Sequence, residues 1–487
     1  MSIKLAKNLF KKTDFAHCQK LILGVSGGGD SLALLFLVKE HLKTMPLAPE
    51  VIVVTIDHQL REESAYEAES VAKICHALQI KHIIVRWEGK KPKTQISEKA
   101  RIARYDLLFK EAQKQGAALI MTGHTLNDQA ETYQMRVQRS QKKTDSAQQE
   151  IPEALSKERR QERESANEEM QILKEESQKR STEKDEERYE RGLSCMPREA
   201  LLYGKVRLIR PLLGVRRKTL RAYLFLQGSK WIDDPTNEDL KFERVRVRHV
   251  LPQKKLTEIA QKVHKAALQR RVQAQKVADL ILALDITVEY GRCFIGKPPS
   301  FLQKHHAFSF VIGLFIVLMG GSSYLLSSQK LAVLDQKLSL HDPEKKRFTL
   351  AGAVIEYSRK GIAIWREARH IQKAMIAPGE TCIWDQRYQI TNHDTLDICV
   401  GPADLLHLKA SLDQGKSDLE SPHFPSLQSL VMISHERGVD IPELTPHFYC
   451  QHNIIMKRIM APFHWLLSQE DAAIVSVVGP FFNFNHE

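Results

Sequence analysis

LILGVSGGGDSLALLFLV, residues 21–38, decides the fold of this chain. One apolar run ends in Ser26–Ser31, and a second apolar run follows directly. Three consecutive glycines let the backbone turn sharply after a strand and approach a ligand closely. A helix that begins there directs its free N–H groups and the positive end of its dipole at an anion. The stretch therefore predicts a phosphate cradle, and the alternative is a tight strand–helix turn without a ligand.

The polar residues of the turn favour the cradle. Ser26 and Ser31 supply hydroxyl donors, and Asp30 could hold a metal ion on the phosphates. The kinase-type pattern G-x-x-x-x-G-K-[ST] needs a lysine, which this stretch lacks. S-G-G-x-D-S instead resembles the PP-loop of the N-type ATP pyrophosphatases, which adenylate a substrate oxygen and release pyrophosphate. The resemblance implies that ATP is bound by Ser26, Gly27, Gly28, Gly29, Asp30 and Ser31.

The first 125 residues alternate short apolar strands with amphipathic helices. Strands are predicted at 21–25, 51–56, 81–86 and 118–121, and helices at 31–42, 64–78 and 97–115. This alternation predicts an α/β fold with a doubly wound parallel sheet covered on both faces. Ligands in such sheets lie beyond the carboxyl ends of the strands. Ser26–Ser31, Asp57-His58 and Gly123-His124 should therefore surround one crevice.

The remaining chain divides by composition. Residues 141–191 carry twelve basic and fifteen acidic residues with no apolar stripe, which predicts a mobile helix or disorder inserted in the first domain. Residues 254–284 read as a basic amphipathic helix. Alternating runs after residue 346 predict a small α+β domain. The expected domains are 1–252 (catalytic), 253–340 (helical) and 345–487 (C-terminal).

Charge and cysteine usage limit the class of protein. The net charge is +13, and the chain outside the acidic insertion carries +16, which favours a polyanionic partner such as RNA. Seven scattered cysteines without a C-x-x-C pair argue against a structural metal or a disulfide framework and fit a cytoplasmic setting. The uncharged stretch 307–326 reads as a buried helix followed by a turn rather than as a membrane span. No signal peptide is evident at the N-terminus.

HTLNDQAET, residues 124–132, should begin a helix directly after a strand. Asp128 and Glu131 are spaced i,i+3 and share a face, so together with Asp30 they are candidates for holding Mg²⁺ on a triphosphate. His124 lies one turn before Asp128 and should face the same centre. The alternative is an acidic N-capping cluster without a ligand.

Two arginine clusters are candidates for contacts with phosphates. Arg101 and Arg104 share a predicted helical face with Glu98 and either neutralise charge in a reaction or form ordinary surface ion pairs. The run DDPTN, residues 233–237, precedes Arg244, Arg246 and Arg248, which form a phosphate-facing row if the segment is extended and spread around the axis if it is helical. Further candidates for tRNA contact on the basic helix are Arg270 and Arg271.

In this order, the motifs SGGGDS, IDHQLR (56–61), SEKARIARY (97–105), TGHTLNDQAET (122–132), RPLL (210–213) and FERVRVR (242–248) resemble the tRNA(Ile)-lysidine synthetase family. The resemblance spans residues 18–252 and extends weakly to the C-terminal pieces TLAGAVIE, IWREAR and WDQRY. It implies an ATP- and Mg²⁺-dependent ligase acting on the first anticodon cytidine of a CAU-bearing tRNA(Ile). The cytidine C2 oxygen would be adenylated, and L-lysine would then displace AMP to form lysidine. Such a product pairs with A rather than G and changes the tRNA from methionine to isoleucine identity.

The same resemblance places Asp30, Asp57, Arg101, Arg104, His124, Asp128 and Glu131 in the catalytic crevice. The sequence departs from the family pattern at Gln59, where glycine is usual, at Asn127, where aspartate is common, and at the charged insertion. A tRNA 2-thiolation enzyme of the same superfamily, a non-catalytic RNA-binding protein with a dead nucleotide site, and a membrane-attached protein stay open as alternatives. The oligomeric state is open as well, with a homodimer among the alternatives.

Overall fold

The computed structural model describes residues 9–60, 64–89, 91–92, 94–149, 190–233, 238–297, 305, 307–339, 346–413, 422–436, 438–445, 448 and 453–482. The chain separates into two compact units, Met1–Arg270 and Arg271–Glu487.

The first unit is an α/β domain that begins with a regular strand–helix alternation. Its elements, in chain order, are β1 (Lys20–Gly24), α1 (Gly29–Leu42), β2 (Glu50–Asp57), α2 (Ser64–Ala77), β3 (Lys81–Arg86), α3 (Ile96–Gln115), β4 (Leu119–Thr122), α4 (Leu126–Gln149), β5 (Glu199–Leu202), β6 (Val206–Ile209), α5 (Arg217–Leu226), α6 (Glu243–Val250) and α7 (Leu256–Ala283). The last of these helices continues into the second unit.

The sheet of this unit runs in the order β5-β6-β4-β1-β2-β3. All neighbouring pairs are parallel except β5 with β6. Leu21 and Leu23 of β1 pack in one core cluster with α1, and Ile22 between them is also fully buried, so the strand is covered on both faces. The predicted doubly wound parallel sheet, with its four strands and three helices, is confirmed.

The second unit contains three antiparallel sheets. Its elements are β7 (Ile286–Glu289), β8 (Arg292–Ile295), α8 (Phe308–Gly320), α9 (Ser328–Ser339), β9 (Lys346–Leu350), β10 (Ala353–Ser358), β11 (Gly361–Arg366), β12 (Ala374–Ile376), β13 (Thr381–Trp384), β14 (Tyr388–Asn392), β15 (Ile398–Pro402), α10 (Leu405–Asp413), α11 (Phe424–Leu427), β16 (Val431–His435), β17 (Gly438–Asp440), β18 (Ile454–Arg458), α12 (Ala461–His464), β19 (Leu466–Ser468) and α13 (Ala472–Phe482). The sheets have the orders β7-β8-β11-β10-β9, β12-β15-β16-β17 and β13-β14-β18.

The apolar stretch predicted as a buried helix is α8, at the centre of the second unit's core. Val311 and Phe315 are fully buried against sheet residues such as Ile355 and Ile364. The helix ends at Gly321, whose φ of 70° is left-handed. Among the helices of the described residues, none has both the length and the apolar character that crossing a bilayer requires.

The charged insertion is described only at its two ends. Helix α4 continues to Gln149, so the first residues of the insertion are helical. Residues 150–189, for which a mobile helix or disorder is predicted, lie outside the described residues, as do Arg61 of the IDHQLR motif and Asp234–Asn237 of the DDPTN motif.

Candidate active site

The Ser26–Ser31 turn connects β1 to α1 and is closed by its own serines. The Ser26 backbone N–H donates to Ser31 Oγ at 3.2 Å, and Ser31 Oγ donates to the Gly28 carbonyl at 2.9 Å. Gly27 has a φ of 86°, in the left-handed region that favours glycine. Helix α1 begins at Gly29, so its free N–H groups lie at the turn. The geometry is that of the predicted anion cradle.

Two neighbouring segments pack directly against the Ser26–Ser31 turn. A Cβ added at Gly29 would lie 3.4 Å from the Trp231 ring, and the Ile232 N–H donates to the Gly27 carbonyl at 3.1 Å. Gly123 follows β4, and a Cβ there would lie 2.9 Å from the Asp30 carbonyl oxygen. Both segments therefore contact the Ser26–Ser31 turn closely, and a side chain at position 123 would displace the turn.

Three carboxylates from two helices meet on one guanidinium, that of Arg217 at the start of α5. Arg217 Nε donates to Asp30 Oδ2 at 2.9 Å. Its other nitrogens donate to Asp128 Oδ1 at 3.1 Å and to Glu131 Oε1 at 3.4 Å. Asn127 Oδ1 accepts the Arg217 backbone N–H at 2.9 Å and so fixes the start of α5. The separately predicted Asp30 and Asp128/Glu131 motifs thus form one cluster.

The extended alternative for the row Arg244, Arg246 and Arg248 is wrong, because α6 is a helix. Arg244 and Arg248 are spaced i,i+4 and share the face that meets Glu131, at 2.7 and 2.8 Å. Arg246 points elsewhere and donates to two backbone carbonyls of its own segment, at 2.8 and 2.9 Å. The ion pairs with buried Glu131 stabilise the helical conformation of this segment. The alternation of Val and Arg in the sequence does not indicate this tertiary contact.

Burial and neighbouring charges shift the pKa values of the carboxylates in this cluster. Burial raises the pKa of Asp30, against the lowering effect of Arg217. Burial alone would also raise the pKa of Asp128, but Arg244 and Arg217 bring it down to about 2. Both carboxylates are therefore held beside guanidinium groups that stay charged.

Asp30 keeps one carboxylate oxygen without a partner. Asp30 Oδ1 is buried and accepts no hydrogen bond within the described residues. A hard carboxylate oxygen left unpaired beside a phosphate cradle fits Mg²⁺. The oxygens of Asp128 and Glu131 instead face arginines and local donors. Across the described ranges, no group of three or more His, Cys, Asp or Glu side chains is arranged to hold a metal ion.

A second charged group lies on α3, where Arg101 and Arg104 each face a histidine. Arg101 approaches His124 Nε2 at 3.4 Å, and Arg104 donates to His58 Nε2 at 3.4 Å. Burial, with Arg210 and Arg101, holds the pKa of His124 well below its ordinary value, so this imidazole is neutral. Within the part of the chain that the structure describes, neither arginine has a carboxylate partner. Their positive charge is uncompensated.

Tyr105 lies buried behind these arginines. The guanidinium of Arg210 is 1% exposed and donates to the Tyr105 hydroxyl at 3.3 Å and to the Pro197 carbonyl at 2.8 Å. Burial would raise the pKa of Tyr105, but Arg210 and Arg101 lower it to about 8. Positive potential therefore accumulates at this end of the sheet.

Asp57 shapes the loop that follows β2. Its Oδ1 accepts the Gln59 N–H at 2.9 Å and the Ser64 hydroxyl at 2.7 Å. Gln59 has a φ of 51°, in the left-handed region that favours glycine. Asp57 is 5% exposed and holds the loop through these two hydrogen bonds.

The remaining predicted tRNA-contact residues lie on α7. Arg270 donates to the Ser194 hydroxyl at 2.9 Å, and Arg271 is exposed. Sequence reasoning did not single out Arg217, Trp231 or Ile232, and it placed His58 at the crevice without predicting its contact with Arg104. Of these, Arg217 had a local signal, since it is the second residue of an Arg-Arg pair directly after RPLLGV.

Comparisons with known proteins agree with this geometry. A family model described as a PP-loop domain matches residues 1–163 and 185–255. The tRNA(Ile)-lysidine synthase of Bartonella henselae is 62% identical over 495 residues, 99% of each chain. The Bartonella quintana protein of the same name is 62% identical over 488 residues and 100% of both chains. That of Brucella suis is 31% identical over 477 residues, 97% of this chain and 96% of the relative.

These relatives decide between the two enzymes that the sequence left open. All three carry the lysidine synthase name, and each similarity runs through both units rather than the PP-loop domain alone. The chain therefore belongs to the tRNA(Ile)-lysidine synthase family.

Proposed function

We propose that this protein joins L-lysine to the first anticodon cytidine of CAU-bearing tRNA(Ile) at the expense of ATP. The cytidine C2 oxygen attacks the α-phosphorus of ATP, a P–O bond forms, and pyrophosphate leaves. The amine of lysine then attacks C2 and loses a proton as AMP departs with the former C2 oxygen. One C–N bond is made for each ATP converted to AMP and pyrophosphate.

The phosphates of ATP are bound by the Ser26–Ser31 cradle. Backbone N–H groups at the start of α1 and the Ser26 hydroxyl supply neutral donors, and the Ser31 hydroxyl joins them by turning away from the Gly28 carbonyl. Arg101 and Arg104 supply positive charge for the departing pyrophosphate, which suits arginines that have no carboxylate partner in the described part of the chain. His124 and Asp57 line the same crevice and hold its loops and side chains in place.

Asp30 would hold Mg²⁺ through Oδ1, which has no hydrogen-bond partner among the described residues. Asp128 and Glu131 would add negative charge near that ion, and their oxygens pair with Arg217, Arg244 and Arg248. When bound, the ion would neutralise phosphate charge. The hydrogen bond from Arg217 to Oδ2 of Asp30 holds the Asp30 carboxylate in place for this role.

The tRNA is held by basic residues of both units. The cations that face the RNA backbone are supplied by Arg244, Arg246, Arg248, Arg270 and Arg271. The division into a catalytic domain (1–252), a helical domain (253–340) and a C-terminal domain (345–487) assigns the last two to tRNA binding. We propose a cytoplasmic protein, with a homodimer among its possible assemblies.

One observation carries this proposal: Arg217 joins Asp30 of the cradle to Asp128 and Glu131, so one site combines phosphate binding with acidic residues. The test is incorporation of labelled lysine into a CAU-anticodon transcript with and without ATP. A matched transcript with uridine replacing the first anticodon cytidine is the control. Incorporation only with ATP and only into the cytidine transcript supports the proposal, and ATP-independent or anticodon-independent incorporation contradicts it.

A further inference from the structure

His58 directly follows β2 at the carboxyl edge of the sheet, next to the strand that leads into the cradle. Its Nε2 accepts from Arg104 Nε at 3.4 Å, and the same nitrogen lies 3.4 Å from a terminal guanidinium nitrogen. Because a guanidinium only donates, the Nε2 atom must be unprotonated and Nδ1 must carry the proton. The imidazole therefore offers Arg104 a neutral acceptor.

The surroundings of His58 keep it neutral and fixed. Burial, with the charge of Arg104, lowers the pKa of His58 to about 4. The ring stands edge-on to Trp87, with 5.8 Å between centroids. Buried Nδ1 has no hydrogen-bond partner in the described residues, which is an unfavourable arrangement for a histidine whose only role is packing.

The same pairing occurs one helical turn away. Arg101 precedes Arg104 by three residues on α3 and faces Nε2 of neutral His124. His124 Nδ1 in turn lies 3.0 Å from the Thr122 hydroxyl. Two arginines on one helix are thus oriented by imidazoles, and no carboxylate of the described residues pairs with either of them.

This choice of partner has a chemical consequence. A carboxylate would fix a guanidinium but cancel its charge, whereas a neutral imidazole fixes it and leaves the full charge for an incoming anion. We infer that His58 is a positioning residue that aims Arg104 at a phosphate group while leaving its charge uncompensated. The inference rests on the proposed function, in which Arg104 binds phosphate.

The test compares two replacements of equal size and different charge. His58→Gln retains a neutral acceptor, and His58→Glu supplies an acceptor that cancels the charge of Arg104. The rate of tRNA-dependent pyrophosphate release should stay near wild type in His58→Gln and fall about 10- to 100-fold in His58→Glu, the range expected for losing a charge-assisted contact. His58→Leu, which removes the acceptor, should fall similarly.

Combining the His58 variants with Arg104→Leu shows whether His58 positions Arg104 or has a structural role of its own. If His58 acts through Arg104, all three His58 variants have the same rate in that background. A rise in KM for ATP, or a fall in kcat, identifies the nucleotide phosphates as the anion, whereas a rise in KM for tRNA alone identifies an RNA phosphate.

The experiment distinguishes a failure of the role inferred for His58 from a failure of the phosphate role proposed for Arg104. Equal rates for His58→Gln and His58→Glu, with Arg104→Leu strongly impaired, overturn the role of His58 and leave the proposed function standing. Full activity of Arg104→Leu removes the phosphate role of Arg104 itself, and the inference falls with it.

Discussion

Arg217 Nε donates to Asp30 Oδ2 at 2.9 Å across 187 positions of sequence. The bond ties the first turn of α1, at the glycine cradle, to the first turn of α5. Asp30 is thereby fixed through one carboxylate oxygen, while Oδ1 has no partner among the described residues. Such a half-engaged carboxylate is suited to a ligand at the cradle.

Asp30→Ala should abolish pyrophosphate release, because the proposed function assigns the Asp30 carboxylate to the phosphates of ATP. Arg217 keeps Asp128 and Glu131 as partners, so the variant should fold and bind tRNA within about twofold of wild type. Pyrophosphate release and filter binding of labelled tRNA measure the two properties. Asp413→Ala, at an exposed position of α10, is the control. Normal turnover by Asp30→Ala would refute the assignment of this residue.

Gly123→Ala should impair the same step through backbone displacement. The added methyl would lie 2.9 Å from both the Asp30 carbonyl oxygen and Ser31 Cα, so the start of α1 must shift. We expect a loss of at least tenfold in pyrophosphate release, since small displacements of a site cost about that much or more. Gly214→Ala, where no atom lies within 4 Å of the new methyl, should be neutral. Equal rates for both variants would show that close packing at position 123 is unimportant.

Tyr105 should ionise at a lower pH than an ordinary tyrosine. Arg210 and Arg101 outweigh burial and bring its pKa to about 8, against about 10 in the unfolded chain. Because the folded value is lower, its contribution to stability is complete above pH about 10 and is lost as pH falls through about 8. Absorbance of tyrosinate between pH 7 and 9 measures the ionisation directly.

Tyr105→Phe should remove that absorbance step. It should also remove the rise in the free energy of unfolding that wild type shows between pH 8 and 10 relative to the variant. Tyr203→Phe is the matched control, because burial and Asp106 raise the pKa of Tyr203. A titration step that persists unchanged in Tyr105→Phe would contradict the charge distribution described for this site.

Arg246→Met tests the RNA surface without touching the carboxylates. Its guanidinium contacts only backbone carbonyls among the described residues, so no buried charge is left unpaired. If Arg246 contacts a tRNA phosphate, the variant should bind tRNA with lower affinity. The magnitude of the slope of log K against log salt should then decrease by about one. Lys110→Met, on the exposed side of α3, should change neither. An unaltered salt slope in Arg246→Met would remove it from the RNA contact.

The elements of the first unit followed from local pattern. The strand predicted at 81–86 is Lys81–Arg86, and the helix predicted at 97–115 is Ile96–Gln115. Apolar periodicity and the glycine turn are properties of adjacent residues, so one sequence suffices to locate them. The cradle was predictable for the same reason.

The contacts that complete the site depend on residues far apart. Arg217 meets Glu131 and Asp128 across 86 and 89 positions, and no periodicity reports such a pairing. FERVRVR fits a strand as well as a helix by alternation, and only buried Glu131 favours the helical face that presents Arg244 and Arg248. Trp231 was missed because its contact with the Ser26–Ser31 turn comes from a distant segment, and the pairing of His58 with Arg104 was not predicted for the same reason.

The central claim is transfer of the α-phosphorus of ATP to the tRNA before lysine reacts. Wild-type protein and the CAU transcript, incubated without lysine, should place label on the RNA from ATP labelled at the α-phosphate and none from ATP labelled at the γ-phosphate. Added lysine should then release the label as AMP. An RNA that carries γ-label, or that takes up lysine without ever carrying α-label, would contradict the account.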